Sequence, residues 1–131
     1  MRIEISGQLQ DSPETTVQFS SRIGHGAGLW KGRSAPSPGS IYDIELDIRP
    51  MLKIGMNFSL AVGKHPSIRT DGKTIWIVGI LEGTDADRVG YLRLADDCLV
   101  MVEFADHHLK DGSPIELILD ISEVLISPLG S

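Results

Sequence analysis

The sequence predicts an all-β chain with little helix, either a small antiparallel barrel (OB-like arrangements included) or a compact β-sandwich. Three observations predict it. Apolar and polar residues alternate at period two through successive short runs. Turn-forming residues separate those runs, and nowhere do apolar residues keep an i, i+3, i+4, i+7 spacing across three helical turns. About seven to nine short strands fit in the 131 residues, a density that suits a barrel or a sandwich.

Ile3, Ile5 and Leu9 share one parity, and Arg2, Glu4, Gln8 and Gln10 take the other, so the first strand has one wet face. After a turn at Asp11-Ser12-Pro13, Val17 and Phe19 repeat the pattern and complete a hairpin. Residues 24–40 hold five Gly, two Pro and three Ser around Trp30 and read as the main irregular loop. Tyr42, Ile44, Leu46 and Ile48 then alternate with Asp43, Glu45 and Asp47 in a half-buried strand. Leu52, Ile54, Met56, Phe58, Leu60 and Val62 resume the alternation as a second long strand, with Gly55 marking a bend or bulge.

Asp71-Gly72 is a two-residue hairpin signal between Ser67–Thr70 and Thr74–Leu81. The run from Ile75 to Leu81 is apolar on both parities, which predicts a central strand that is covered on both faces or lies across an interface. Another hairpin follows, 88–94 with 98–104 about a turn at Ala95-Asp96-Asp97. The last strand, Ile115 to Ile126, changes parity near Ser122-Glu123, as one extra residue in a β-bulge would require.

The length suits a single domain covering 1–131. The formal charge of −6 is concentrated after residue 40, where eight Lys/Arg face fifteen Asp/Glu. An acidic surface repels phosphate backbones and anionic headgroups and attracts basic partners, so nucleic acid is disfavoured. Cys98 is the only cysteine, which rules out an intrachain disulfide, a multi-cysteine zinc site or a CxxC redox pair. No apolar stretch approaches the length of a membrane span, and the first residues lack the apolar core of a signal peptide. The expected compartment is the cytoplasm.

No constellation in the chain carries a legible chemistry. Gly24-His25-Gly26-Ala27-Gly28 lacks the strand and helix that frame a phosphate cradle. His107 and His108, with Asp106 and Asp111 nearby, have neither HxH nor HExxH spacing and read as solvated loop residues. Cys98 enters the apolar run Leu99-Val100-Met101-Val102 and reads as a small buried hydrophobe. No catalytic residue, metal or cofactor is therefore expected.

Three readings of function follow. The first is a non-enzymatic module, an acidic barrel recognising a basic protein partner in the manner of small inhibitor or immunity proteins, a comparison resting on size and charge alone. Its binding residues are the carboxylate stripe Asp43, Glu45 and Asp47, with Trp30 as an aromatic anchor if exposed, a half-buried position as a lid over a barrel mouth being the equal alternative. The second is a small-ligand-binding barrel, or an enzyme with its site under the 24–40 loop, where His25, Arg22 or Arg33 contacts an anionic group. The third is an OB-like nucleic-acid module using Lys53, Lys64, Arg69 and Lys73, which the charge balance opposes. Self-association through a strand edge or the Ile75–Leu81 run is compatible with all three.

Overall fold

The computed structural model describes residues 1–10, 13–105 and 109–130. Its centre is a closed barrel of five strands: β1 (Arg2–Gln10), β2 (Thr16–Ser21), β3 (Gly24–Trp30), β4 (Ile41–Ile48) and β11 (Val124–Pro128). β1 pairs antiparallel with β2 on one edge and β4 on the other, and β2 pairs antiparallel with β3. β11 closes the circuit by lying antiparallel to β4 and parallel to β3. The barrel alternative is thus the one adopted, with a single parallel seam where Leu125 and Ile126 meet Leu29 and Trp30.

Alternation sets the barrel wall. Ile3, Ile5, Val17, Phe19, Ile44, Leu46, Val124 and Ile126 all point inward and are buried. Leu9 departs from the expected parity and is 43% exposed. The register of β1 against β2 shifts between Ile5 and Gly7 and again between Gln8 and Gln10, and one such shift moves every later side chain to the opposite face.

The expected loop at 24–40 begins only after Trp30, because Gly24–Trp30 is a full strand. Its glycines belong to the strand for steric reasons. A Cβ on Gly26 would stand 2.4 Å from Phe19 Cζ, and one on Gly28 would stand 2.7 Å from the Val124 carbonyl oxygen. The missing side chains leave room for the Phe19 ring and for the closing strand.

A second lobe is inserted between β4 and β11. It contains β5 (Phe58–Leu60), β6 (Ser67–Thr70), β7 (Thr74–Glu82), β8 (Val89–Ala95), β9 (Cys98–Glu103) and β10 (Pro114–Asp120). β7 is central as expected, but it is not fully covered on both faces, since Trp76 and Ile80 are only half-buried. β10 lies along one edge, and β6 and β8 share the other, β6 against 75–78 and β8 against 80–82. Asp71 accepts the N–H groups of Lys73 and Thr74 at 2.9 and 2.7 Å, and Gly72 takes φ +91°, so the β6–β7 hairpin turns where expected. The Asp96-Asp97 turn likewise joins β8 to β9.

Two expected strands are shorter than their alternation suggested. Of the run 52–62 only Phe58–Leu60 is a strand, while Leu52 and Ile54 make isolated bridges to Phe104 and Phe58. The interruption has a local cause: Gly55 is at φ +80°, and the Asn57 side chain accepts Lys53 N–H at 2.8 Å and donates to Met51 O at 2.9 Å, which curls the chain. The run 115–126 is two strands in different parts of the molecule. Between them Ile121–Glu123 forms a 3-10 turn capped by Asp120, whose carboxylate accepts Ser122 N–H while Glu123 accepts Asp120 N–H. A corner, rather than a bulge, accounts for the parity change.

Barrel and lobe share one apolar cluster, in which Phe58 meets Phe104 edge-on at 5.4 Å. Full burial of each such side chain contributes about 1.5–3 kcal/mol. No helix among the described residues is long and apolar enough to cross a membrane.

Candidate interaction surface

Because Ile44 and Leu46 point into the barrel, Asp43, Glu45 and Asp47 project together from the outer face of β4, and all three are exposed. The strands beside β4 determine how each is balanced. Asp43 is opposite Arg2 of β1, whose Nε and Nη2 donate to its two oxygens at 3.1 and 3.3 Å. The Arg2 hydrogen bond holds the Asp43 carboxyl below the usual carboxylate range. Glu45 and Asp47 stand opposite Ser127 and Leu125 of β11 and have no ion pair among the described residues. Two uncompensated carboxylates therefore sit about 7 Å apart on an open face.

The row runs into a shallow groove of about 250 Å³ between β4 and the β8–β9 turn. Buried Ile44, Leu46 and Cys98 border it, Glu45 and Asp97 supply carboxylates, and Leu99 and Leu129 add exposed apolar surface. Asp97, Leu99 and Leu129 were not legible as site residues. Asp97 has the sequence signature of a turn former, and only the packing of β9 beside β4 brings it next to Glu45. Its carboxylate lies 3.9 Å from the Met1 amino group, a loose pairing at an exposed position.

Trp30 does not belong to this surface. It is only 7% exposed, its ring packs edge-on against Tyr42 at 4.8 Å, and its Nε1 donates to Ser34 O at 2.9 Å. The chain after β3 folds back over the ring, with Gly32 so close that a Cβ there would be 2.5 Å from Nε1. As a buried indole with a satisfied N–H, it stabilises the barrel and cannot anchor a partner.

The alternative ligand residues are dispersed. Arg22 lines a cleft of about 470 Å³ with Arg2, Ile23, Leu94, Asp96 and Asp97, but His25 and Arg33 do not line it. His25 instead points out of β3 opposite Ser20, and Arg33 is exposed beyond the barrel wall. Cys98 is buried, and burial pushes its thiol up, away from the thiolate a nucleophile needs. Among the described residues no three His, Cys, Asp or Glu side chains gather as a metal site. Asp106, His107 and His108 lie outside the described residues.

One end of the outer face of β2 and β3, the face that OB barrels use for oligonucleotides, is covered here, while His25 at the other end is exposed. Thr16, Ala27 and Leu29 point out of the barrel from these strands, yet all three are buried. The β6–β7 turn at Gly72-Lys73 and the corner at 120–122 lie against Thr16 around a small cleft. Of the four cations considered for that role, Lys64 is paired with Glu116 at 3.1 Å and Arg69 lies over the Trp76 ring at 4.1 Å. Comparison with protein-family models, curated proteins and solved structures gave no match.

Proposed function

We propose that this chain is a non-enzymatic interaction module that recognises a basic protein partner through the outer face of β4 and the groove beside it. The observation that carries this reading is the pairing of Glu45 and Asp47, open and without a cation, with a groove where Asp97 joins Glu45 above apolar walls. A Lys or Arg side chain suits such a groove: its aliphatic stem covers Leu99 and Leu129 while its charged head lies between the carboxylates. Surface ion pairs contribute little individually, so the row acts chiefly on approach and orientation, and the groove supplies the anchor. The same reading places the protein in the cytoplasm, where a lone buried thiol stays reduced.

The test is affinity capture at low ionic strength with the wild-type chain and with a Glu45→Lys, Asp47→Lys double variant. A protein retained by the wild type, and lost both on charge reversal and in high salt, supports the reading. Equal capture by both chains sinks it.

A second reading has the cleft beside Arg22 in its favour, a small anionic ligand being held by Arg22. Thermal shift against phosphorylated and carboxylated metabolites, repeated with Arg22→Ala, separates the two. A ligand whose stabilisation disappears with Arg22→Ala would move the function from the groove to the cleft.

A further inference from the structure

Among the described residues, β5 and β9 are the strands with a neighbouring strand on one side alone. β5 is three residues long, whereas β9 offers the six residues Cys98–Glu103. Three hydrogen bonds at the end of β9 show which of its groups face the open side. Phe104 N–H donates to Arg88 O toward β8 at 2.9 Å, while Ala105 N–H donates to Leu52 O at 2.9 Å and Leu52 N–H to Glu103 O at 2.7 Å on the other side. In a strand the N–H and C=O of one residue point the same way, and those of the next residue point the opposite way. Leu99 and Met101 therefore turn both groups away from β8, and no partner for them is present among the described residues.

Folded proteins usually blunt such an edge with proline, lysine, a bulge or a covering segment. β9 holds no proline or lysine, the one register shift of its hairpin places the extra residue in β8, and Leu52 covers the edge only from Glu103 onward. Its side chains are divided cleanly between two faces. Cys98, Val100 and Val102 are buried toward the core, whereas Leu99 and Met101 share the outer face with Arg93 and Tyr91 of β8 and are 42% and 52% exposed.

Acidic groups stand at both ends of this edge. Leu99 borders the groove that holds Glu45 and Asp97, and Glu103 is exposed at the far end. Glu45 and Glu103 have no ion pair among the described residues, and Asp97 has only its loose pairing with Met1. The cations of β8 are already engaged, Arg93 by Glu82 at 2.9 Å and Arg88 by the Ala105 carbonyl. A second copy pairing antiparallel along β9 would set its own Glu103 end against Glu45 and Asp97, like charge against like. The edge suits a cationic strand better than itself.

Resting on the reading that the acidic groove takes a basic partner, we infer that the partner docks as an extended strand added to the free edge of β9. Its backbone continues the sheet at Leu99 and Met101, and its apolar side chains cover theirs. Lys or Arg at one end of the segment meets Glu45 and Asp97, and a cation at the other end meets Glu103. About seven residues span that distance. In strand addition the main chain supplies affinity and the side chains supply specificity.

The experiment titrates the full chain with a fluorescent peptide of alternating Val and Thr that has Lys at both ends. Its controls are the same peptide with Glu for Lys, and the Lys peptide N-methylated throughout its interior. Fluorescence anisotropy reads binding, and amide hydrogen exchange by NMR reads the edge. The expected result is that the Lys peptide binds and the Glu peptide does not, and that N-methylation and Met101→Pro each weaken binding by about tenfold. The amides of Leu99 and Met101 should exchange fast in the free chain and become protected in the complex. Met101→Pro removes only an outward N–H, which an edge strand tolerates; an unchanged melting temperature shows that the fold persists, and the N-methylated peptide applies the same test without altering the chain. Binding that survives N-methylation and leaves the Leu99 and Met101 amides unprotected overturns strand addition while the basic-partner reading stands. Equal binding of Lys and Glu peptides overturns both. Absence of Lys-peptide binding overturns the inference alone, since capture with the Glu45→Lys, Asp47→Lys variant decides the wider reading separately. Protection of the two amides that grows with protein concentration, without peptide, would assign the edge to a second copy instead.

Discussion

Gly26 and Phe19 are opposite one another across β2 and β3, and the ring fills the volume that a second side chain would need. Gly26→Ala should lower stability by about 1–3 kcal/mol, as overpacking in a closed core does. Gly7 is a natural control, since the nearest atom to a Cβ there is 3.9 Å away. Gly7→Ala should leave the urea midpoint unchanged or slightly raised. Equal effects of the two substitutions would show that the glycines of β3 are not there for close approach. Cys98 offers a chemical readout of the same core: with its thiol buried and pushed up, alkylation of the native protein at mildly alkaline pH should be far slower than in urea. Composition alone misread this region, because closely spaced glycines look the same in a loop and in a strand whose neighbours need the room. For Trp30 the polar sequence around it left exposure and half-burial equally open, and the return of the chain over its ring buries it.

Single elements were legible where one alternating face met a turn residue. β4, the Asp71-Gly72 hairpin and central β7 all follow from period two and local turn chemistry. The shortfalls came at 52–62 and 115–126, where side-chain hydrogen bonds from Asn57 and Asp120 outweigh the alternation. At the site, the carboxylates of β4 were readable because they lie in one strand, whereas Asp97 required tertiary packing between distant segments. Asp120→Ala should cost about 1 kcal/mol by removing the cap of the corner, checked by chemical denaturation. Acid should expose the same devices. Asp71 is held below the usual carboxylate range by the N–H groups of Thr74 and Lys73, Asp120 by Ser122, and Glu82 by Arg93. For each, the unfolded chain takes up a proton at higher pH than the folded one. Their stabilisation is therefore complete above the ordinary carboxylate pKa of about 4 and is lost as pH falls through the lowered folded values. Asp71→Ala should flatten the decline in urea midpoint over that acid range, and an unaltered slope would show that this turn does not contribute.

At the scale of the whole molecule, barrel and lobe share one apolar cluster, so they should unfold together in a single transition with coincident tryptophan and circular-dichroism signals. Two resolved transitions would mean that the lobe is thermodynamically separate. The route by which the chain builds its barrel is also constrained. It leaves the barrel at Ile48 and re-enters at Val124, and these two residues are partners across β4 and β11. Loop-closure entropy therefore favours adding the final stave once the intervening guest has drawn its own ends together. Loosening the guest should accordingly delay a reporter in the host: in a Trp76→Phe background, Leu117→Ala should slow the refolding fluorescence of Trp30, which lies beside Ile126 on the far wall.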